Sequence, residues 1–274
     1  MTKRVKLVVA YDGTDFRGWA AQTGRRTVQS TLKDAVRQVS GEDCEIVGAS
    51  RTDSGAHARG QVCHFDSEVA IEPERWARVL NRVLPLDVGV VRSAEVGAEF
   101  NCRFWARNRA YRYRIWNTGK DPFEARTAHV WEKPLDMQAM ADAARSLVGK
   151  HDFRGYTEEL ADYVTNTERK LFSVDVSRAG QSIRIDIVGT AFLRGMMRRM
   201  AGGLLEVGRG VRDGQEIAAL LTHDGRSNLS WPEVLPARGL TLMKVRFGRH
   251  PRDVRGEEHA SDDKKSLDWV EDDE

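Results

Sequence analysis

Apolar residues fall at every second position along "VKLVVAY" (5–11), the spacing of a strand with one face inward. From Thr27, a candidate N-cap, the spacing changes: residues 28, 32, 35, 36 and 39 are apolar, which predicts a helix. "CEIVGA" (44–49) and "QVCHF" (61–65) read as strands on either side of a short polar loop. Pro73 then opens a second helix through Trp76, Val79, Leu80, Val83 and Leu84, and "VGVVRSAEV" (88–96) reads as a closing strand. The resulting order, β-α-β-β-α-β, is that of a ferredoxin-like unit.

The order then repeats. "YRYRIW" (111–116) predicts a strand, and Met137, Met140, Ala141, Ala144, Leu147 and Val148 trace a helix. "FSVDVSR" and "SIRIDIV" predict a hairpin turning at Ala179, Gly180 and Gln181; helices are expected over Phe192–Val207 and "DGQEIAALLTH" (213–223), and a last strand over "GLTLMKVRF" (239–247). The expected fold is α+β, with two ferredoxin-like halves sharing a mostly antiparallel sheet around a central cleft. The expected division is 1–100, carrying the loop at Asp53, then 101–250, then a tail over 251–274.

Composition adds three constraints. The three cysteines are scattered, with no Cys-x-x-Cys pair, so neither a disulfide framework nor a structural zinc site is suggested, and the positions of His57, Cys63 and His64 fit no zinc pattern. No apolar run reaches the roughly 20 residues of a membrane span, and the first residues do not form a signal peptide, which points to the cytoplasm. The net charge of +2 conceals an imbalance. The last 24 residues hold 4 Lys/Arg and 10 Asp/Glu; removing them from the 43 basic and 41 acidic residues leaves 39 and 31, a body of about +8. That excess is mostly arginine, the side chain suited to bidentate contact with phosphate, so nucleic acid is the expected partner class. The acidic tail is expected to be a solvated, disordered segment.

Candidate chemistry centres on "ASRTDSGAHARGQ" (49–61). Asp-Ser-Gly is a common turn tripeptide, yet Asp53 lies on a loop between strands, where a functional carboxylate is more plausible than on a core face. Arg51, two residues earlier, suits an ionised carboxylate acting as a nucleophile or an electrostatic anchor. In "AYRYRIW", Tyr111, Tyr113 and Ile115 share one face and Arg112, Arg114 and Trp116 the other. Such interleaving fits stacking on an unpaired base and gripping its phosphates, although tyrosines at period two are also ordinary core. "FLRGMMRRMAGGLLEVGRG" (192–210) sets a methionine stripe for packing beside Arg194, Arg198 and Gly202 at i, i+4 and i+8.

The blocks "YDGTDFRGW", "RTDSGAHARGQVCHF", "RAYRYRIWN", "GKHDF", "FLRGMMRRMAGGLLEVGRG" and "LPARGLTLMKVRF" resemble, in order and rough spacing, those of the bacterial tRNA pseudouridine synthase A family. The resemblance covers about residues 4 to 248. It implies that Asp53 is the catalytic nucleophile, that Tyr111 contacts the target base, and that Arg51 and Arg198 lie around it. It further implies a homodimer acting without cofactor or metal on uridines 38 to 40 of the tRNA anticodon stem-loop. Ala20, Ala56 and "HDFRGY" depart from the family's usual residues without touching the four site positions. Two rival classes explain less. An aspartic protease needs two carboxylates sharing a proton, and this chain has one such tripeptide. A non-catalytic RNA-binding module would explain the arginines but would leave Asp53 without work beside a polyanion.

Overall fold

The computed structural model describes residues 2–157, 160 and 165–248. The acidic tail therefore lies outside the described residues. The first half consists of β1 (Lys3–Tyr11), α1 (Val28–Ser40), β2 (Val47–Gly48), β3 (His57–Ser67), α2 (Trp76–Leu80) and β4 (Val88–Val96). The second comprises β5 (Ala106–Trp116), β6 (His129–Val130), α3 (Met137–Arg145), β7 (Gly149–Asp152), β8 (Glu168–Ala179), β9 (Ser182–Gly189), α4 (Met196–Gly208), α5 (Gly214–Ala219), α6 (His223–Asn228) and β10 (Leu240–Phe247).

These strands form one sheet, ordered β4-β1-β3-β10-β5-β9-β8-β7, with β2 beside β3 and β6 beside β5. The first half thus reads β4-β1-β3-β2 and the second β10-β5-β9-β8, the same ferredoxin-like order twice. Every pairing is antiparallel except β5–β6 and the junction of the halves, where β10 runs parallel to β3 over His57↔Thr241 and Leu242↔Ala58. Backbones approach closely there: a Cβ on Gly60 would lie 2.3 Å from the Met243 carbonyl oxygen, so only glycine fits.

Alternation places Val5, Leu7, Val9 and Tyr11 of β1 inside, against Val28, Leu32, Ala35 and Val36 of α1. Thr27 caps α1 as expected, its Oγ1 accepting from the Ser30 N–H at 3.2 Å. Ser30 reciprocates by accepting from the Thr27 N–H, the short-armed counterpart of a capping box. The β8–β9 hairpin turns at Gly180, whose φ of 57° suits the left-handed region.

Several elements differ from their sequence pattern. The helix expected from Phe192 starts at Met196, because Gly195 takes a φ of 69° and breaks the run; Phe192 and Arg194 therefore precede the helix and share no face with Arg198. The helix opened by Pro73 begins as a 3₁₀ turn and ends at Leu80, where Asn81 clamps β4 by bonding both the N–H and the carbonyl of Val90. "CEIVGA" pairs only at Val47–Gly48. The helix expected over 213–223 stops at Ala219 and a separate α6 follows. The cationic face of β5 is structural: Arg112 pairs with Asp186 at 2.8 Å and Arg114 with Glu124 at 2.6 Å.

His57, at the head of β3, is buried and fastens four segments. Its Nδ1 accepts from the Gly13 N–H at 3.0 Å, so its Nε2–H donates to the carbonyls of Arg238 and Arg126, at 3.0 and 3.1 Å. Burial lowers its pKa against the pull of nearby Asp12; burial likewise lowers those of His64 and His129. A histidine with a depressed folded pKa costs stability once the unfolded chain can take up the proton that the folded one resists. Stability should therefore be complete above the ordinary value of about 6.5 and decline as pH falls below it. We predict a melting temperature that is nearly constant above about pH 6.5 and falls from there to pH 5.5; a flat or rising profile below pH 6.5 would contradict neutral buried histidines.

Candidate active site

Asp53 sits in the loop between β2 and β3, four residues before the junction with β10. The loop is pinned from the segment after β1: the Trp19 N–H donates to the Thr52 carbonyl at 3.1 Å, and the Gly55 N–H donates to that of Phe16 at 3.2 Å. The Tyr11 and Thr52 hydroxyls are 2.7 Å apart. Gly18, at φ 86°, lets this segment pass, since a Cβ there would lie 2.7 Å from the Thr52 carbonyl oxygen. On the other side, Gln61 of β3 donates to the Ser50 carbonyl at 2.7 Å. Asp53 itself closes a turn, its carbonyl accepting from the Ala56 N–H at 3.1 Å, as its place in an Asp-Ser-Gly tripeptide suggests.

Arg198, in the first turn of α4, reaches across from the second half. Its Nη1 lies 3.2 Å from Asp53 Oδ2, while its Nε donates to the Leu235 carbonyl at 2.7 Å. One planar fork therefore orients the carboxylate and is itself held by backbone. Arg51 has a different place. It is exposed at the rim of the same cleft and, among the described residues, forms no ion pair with Asp53. The partner expected from adjacency in sequence is thus supplied by adjacency in space, 145 residues away.

The tyrosines of β5 divide. Tyr113 is fully buried and donates its hydroxyl to the Pro236 carbonyl at 2.8 Å, a core role. Tyr111, one pleat earlier, is 6% exposed and packs edge-on against Phe192 with ring centroids 5.0 Å apart, yet it reaches the cleft wall. Burial raises its pKa, partly opposed by the neighbouring Ser50 hydroxyl and by the Arg109 cation. Tyr111 is both a core residue and a cleft residue.

Arg109, one pleat before Tyr111, was not singled out by the sequence pattern. Its guanidinium donates to Ser50 Oγ (3.2 Å) and to the carbonyls of Ala49 (3.1 Å), Arg103 (3.3 Å) and Thr190 (2.7 Å). The residue's position in the alternation of β5, on the Tyr111 face rather than the Arg112 face, was the available signal.

These side chains share a cavity of about 980 Å³ lined by seven arginines and only two carboxylates, Asp53 and Glu45. So strong a positive lining attracts a polyanion, and Trp19, Tyr111 and Phe192 add apolar surface for a flat ring. Among the described residues no group of three His, Cys, Asp or Glu side chains is placed to hold a metal, and no helix is long and apolar enough to cross a membrane.

A carboxylate held by a guanidinium in a cleft lined mostly by arginine is an arrangement suited to a polyanionic substrate. The tRNA pseudouridine synthase family profile matches residues 7–105 and 143–248. Over 244 residues the chain is 39% identical to tRNA pseudouridine synthase A of Brevibacillus brevis, an alignment spanning 89% of this chain and 99% of that protein. It is 38% identical to the protein of the same name from Halalkalibacterium halodurans (87% and 90% covered) and to that from Moorella thermoacetica (89% and 99%). A crystal structure of a Cbf5–Nop10–Gar1 complex aligns with 73% of this chain and 54% of its own at 9% identity, with a TM-score of 0.29, too low to bear on the fold. The chain belongs to the tRNA pseudouridine synthase family and is an isomerase.

Arg198→Met removes the partner of Asp53 while keeping a long side chain. We predict a fall in turnover of about 10²-fold, the size expected when one oriented charge is lost from a catalytic centre. Arg198→Lys should recover only part of it, because an ammonium cannot reach both Asp53 and the Leu235 carbonyl as a fork does. Single-turnover rates would check this; wild-type rates for Arg198→Met would contradict it.

Proposed function

We propose that this chain converts uridines 38 to 40 of the tRNA anticodon stem-loop to pseudouridine, with Asp53 as the nucleophile and Tyr111 against the target base. Arg198 orients the carboxylate and Arg51 meets the RNA at the rim. The observation that carries this reading is Asp53, paired with Arg198 in a cleft whose other charges are almost all arginine.

The reaction is redox-neutral. The bond from N1 of uracil to C1′ of ribose breaks, the base turns, and C5 bonds to C1′. C5 then gives up its proton, and N1 ends protonated. A carboxylate begins this by attacking C1′, by adding to C6, or by taking the 2′ proton, and each route uses one ionised oxygen in a place where the base can rotate. A uridine in the stem must leave its stack first, at a cost of a few kcal/mol that pocket contacts offset. Arginines around the rim suit the flanking phosphates. The reading includes a cytoplasmic homodimer, and a division of the chain near residue 100 into two halves that contribute Asp53 and Arg198 respectively.

Asp53→Asn tests it, because the change removes the nucleophile and keeps the shape. We predict pseudouridine formation below detection, with tRNA affinity within severalfold of wild type. That affinity should fall on the order of 10³-fold between 50 and 200 mM salt if about six phosphates are neutralised. Retained turnover in Asp53→Asn would overturn the catalytic assignment. A variant that loses activity alongside salt-independent binding would overturn the tRNA cleft.

A further inference from the structure

Arg169, the second residue of β8, lines the cleft from the second half. Its strand adjoins the turn that leads into α4, since the Lys170 carbonyl accepts from the Thr190 N–H at 3.0 Å. Nη1 of Arg169 donates to the carbonyls of Asn166 (3.1 Å) and Glu168 (2.6 Å), which fixes one edge of the guanidinium on the backbone at the head of its own strand. The other edge, Nε with Nη2, holds nothing. Nε is buried without an acceptor, and among the described residues Nη2 makes no hydrogen bond and Arg169 no ion pair.

Two other arginines of this chain show what that edge binds. Nε and Nη2 of Arg4 donate to the two oxygens of Asp66, both at 2.7 Å, and those of Arg112 to the two oxygens of Asp186, at 2.8 and 3.3 Å. In each case the edge closes on an anion through a pair of its oxygens, the side-on geometry that carboxylates and phosphates share. Arg169 presents the same edge with no anion on it. Burial lowers its pKa, and no carboxylate lies near enough to oppose the shift. A partly desolvated cation with an idle N–H is costly in the free protein, and an anion entering the cleft offsets that cost. Of the groups on an RNA strand, the phosphodiester is the one that carries two anionic oxygens.

We propose that the Nε and Nη2 edge of Arg169 is a phosphate subsite, taking the two non-bridging oxygens of one phosphodiester of the RNA strand that enters the cleft. The subsite rests on the reading that the cleft takes tRNA and deepens it by naming one contact and its geometry. Such a contact reads no base; it fixes the register of the strand against the Asp53 loop on the opposite half.

The test is equilibrium binding of an unmodified tRNA transcript between 50 and 200 mM salt, in the Asp53→Asn background so that the RNA stays unreacted. Arg169→Met should weaken binding about tenfold at 50 mM salt and reduce the slope of log K against log salt by about 1, so that the gap narrows to about threefold at 200 mM. Arg169→Lys should keep the slope but lose severalfold in affinity, because an ammonium cannot take two oxygens side-on. Arg145→Met, which removes a cation paired with Asp142 outside the cleft lining, should leave the slope as it was. Unchanged affinity and slope in Arg169→Met, a loss equal at every salt concentration, or the same change of slope from Arg145→Met would each overturn the subsite. If Arg169→Met melts below the assay temperature, Arg169→Gln, which removes the charge and keeps an amide donor, is judged by the same criteria. An Asp53→Asn protein that does not bind the transcript at all counts against the cleft reading itself, whereas tight, salt-dependent binding that ignores Arg169 counts against the subsite alone.

Discussion

Two residue pairs, His57 with Thr241 and Ala58 with Leu242, join the two halves of the sheet. Parallel pairing this short leaves β3 and β10 free to separate beyond it, and β2 takes over the same edge of β3 at Cys63 and His64. The Asp53 loop enters β3 where the halves meet, so its carboxylate faces elements of the second half. Much of the surrounding structure reinforces that junction. His57 ties the segments at Gly13, Arg126 and Arg238 to the head of β3, and Arg126 also pairs with Asp12 and Asp15 of the first half. Gly60 permits the close approach of the strands, and Gly239 leaves room for the Tyr113 ring, which a Cβ would meet at 2.5 Å.

The chemistry follows from the same meeting. Asp53 comes from the first half and Arg198 from the second, so their ion pair exists only when the halves are docked. Arg112 is neutralised by Asp186 behind the sheet, whereas Arg109, on the cleft side, is satisfied by neutral oxygens and keeps its positive field. The contrast between these two arginines, three residues apart on one strand, separates a structural cation from one that contributes to the cleft. It also leaves the cleft with a strongly positive lining around Asp53.

The strand order was legible because alternation in β1, β5 and β9 is clean and one face of each is apolar. Helix limits were less so. Periodicity continues through Phe192 and Arg194, but Gly195 in a left-handed conformation starts α4 at Met196, and no pattern of apolar positions signals that. At the site, Asp53 stood out as a carboxylate on a loop, and Arg198 entered through resemblance. Proximity in sequence assigned Arg51 to Asp53, whereas folding brings Arg198 there and leaves Arg51 at the rim. Arg109 escaped notice because its hydrogen bonds join segments distant in the chain. Period two placed Tyr111 and Tyr113 together, and only the depth of each hydroxyl distinguishes them: one ends at the Pro236 carbonyl, the other at the cleft wall.

The central claim is that this cleft isomerises uridine in the anticodon arm. Mapping pseudouridine by chemical modification on an unmodified tRNA transcript, incubated with and without the purified protein, tests it most directly. The account predicts new pseudouridine at one or more of positions 38 to 40 and nowhere else in the transcript. A transcript that remains unmodified, or that is modified only outside the anticodon arm, would contradict it.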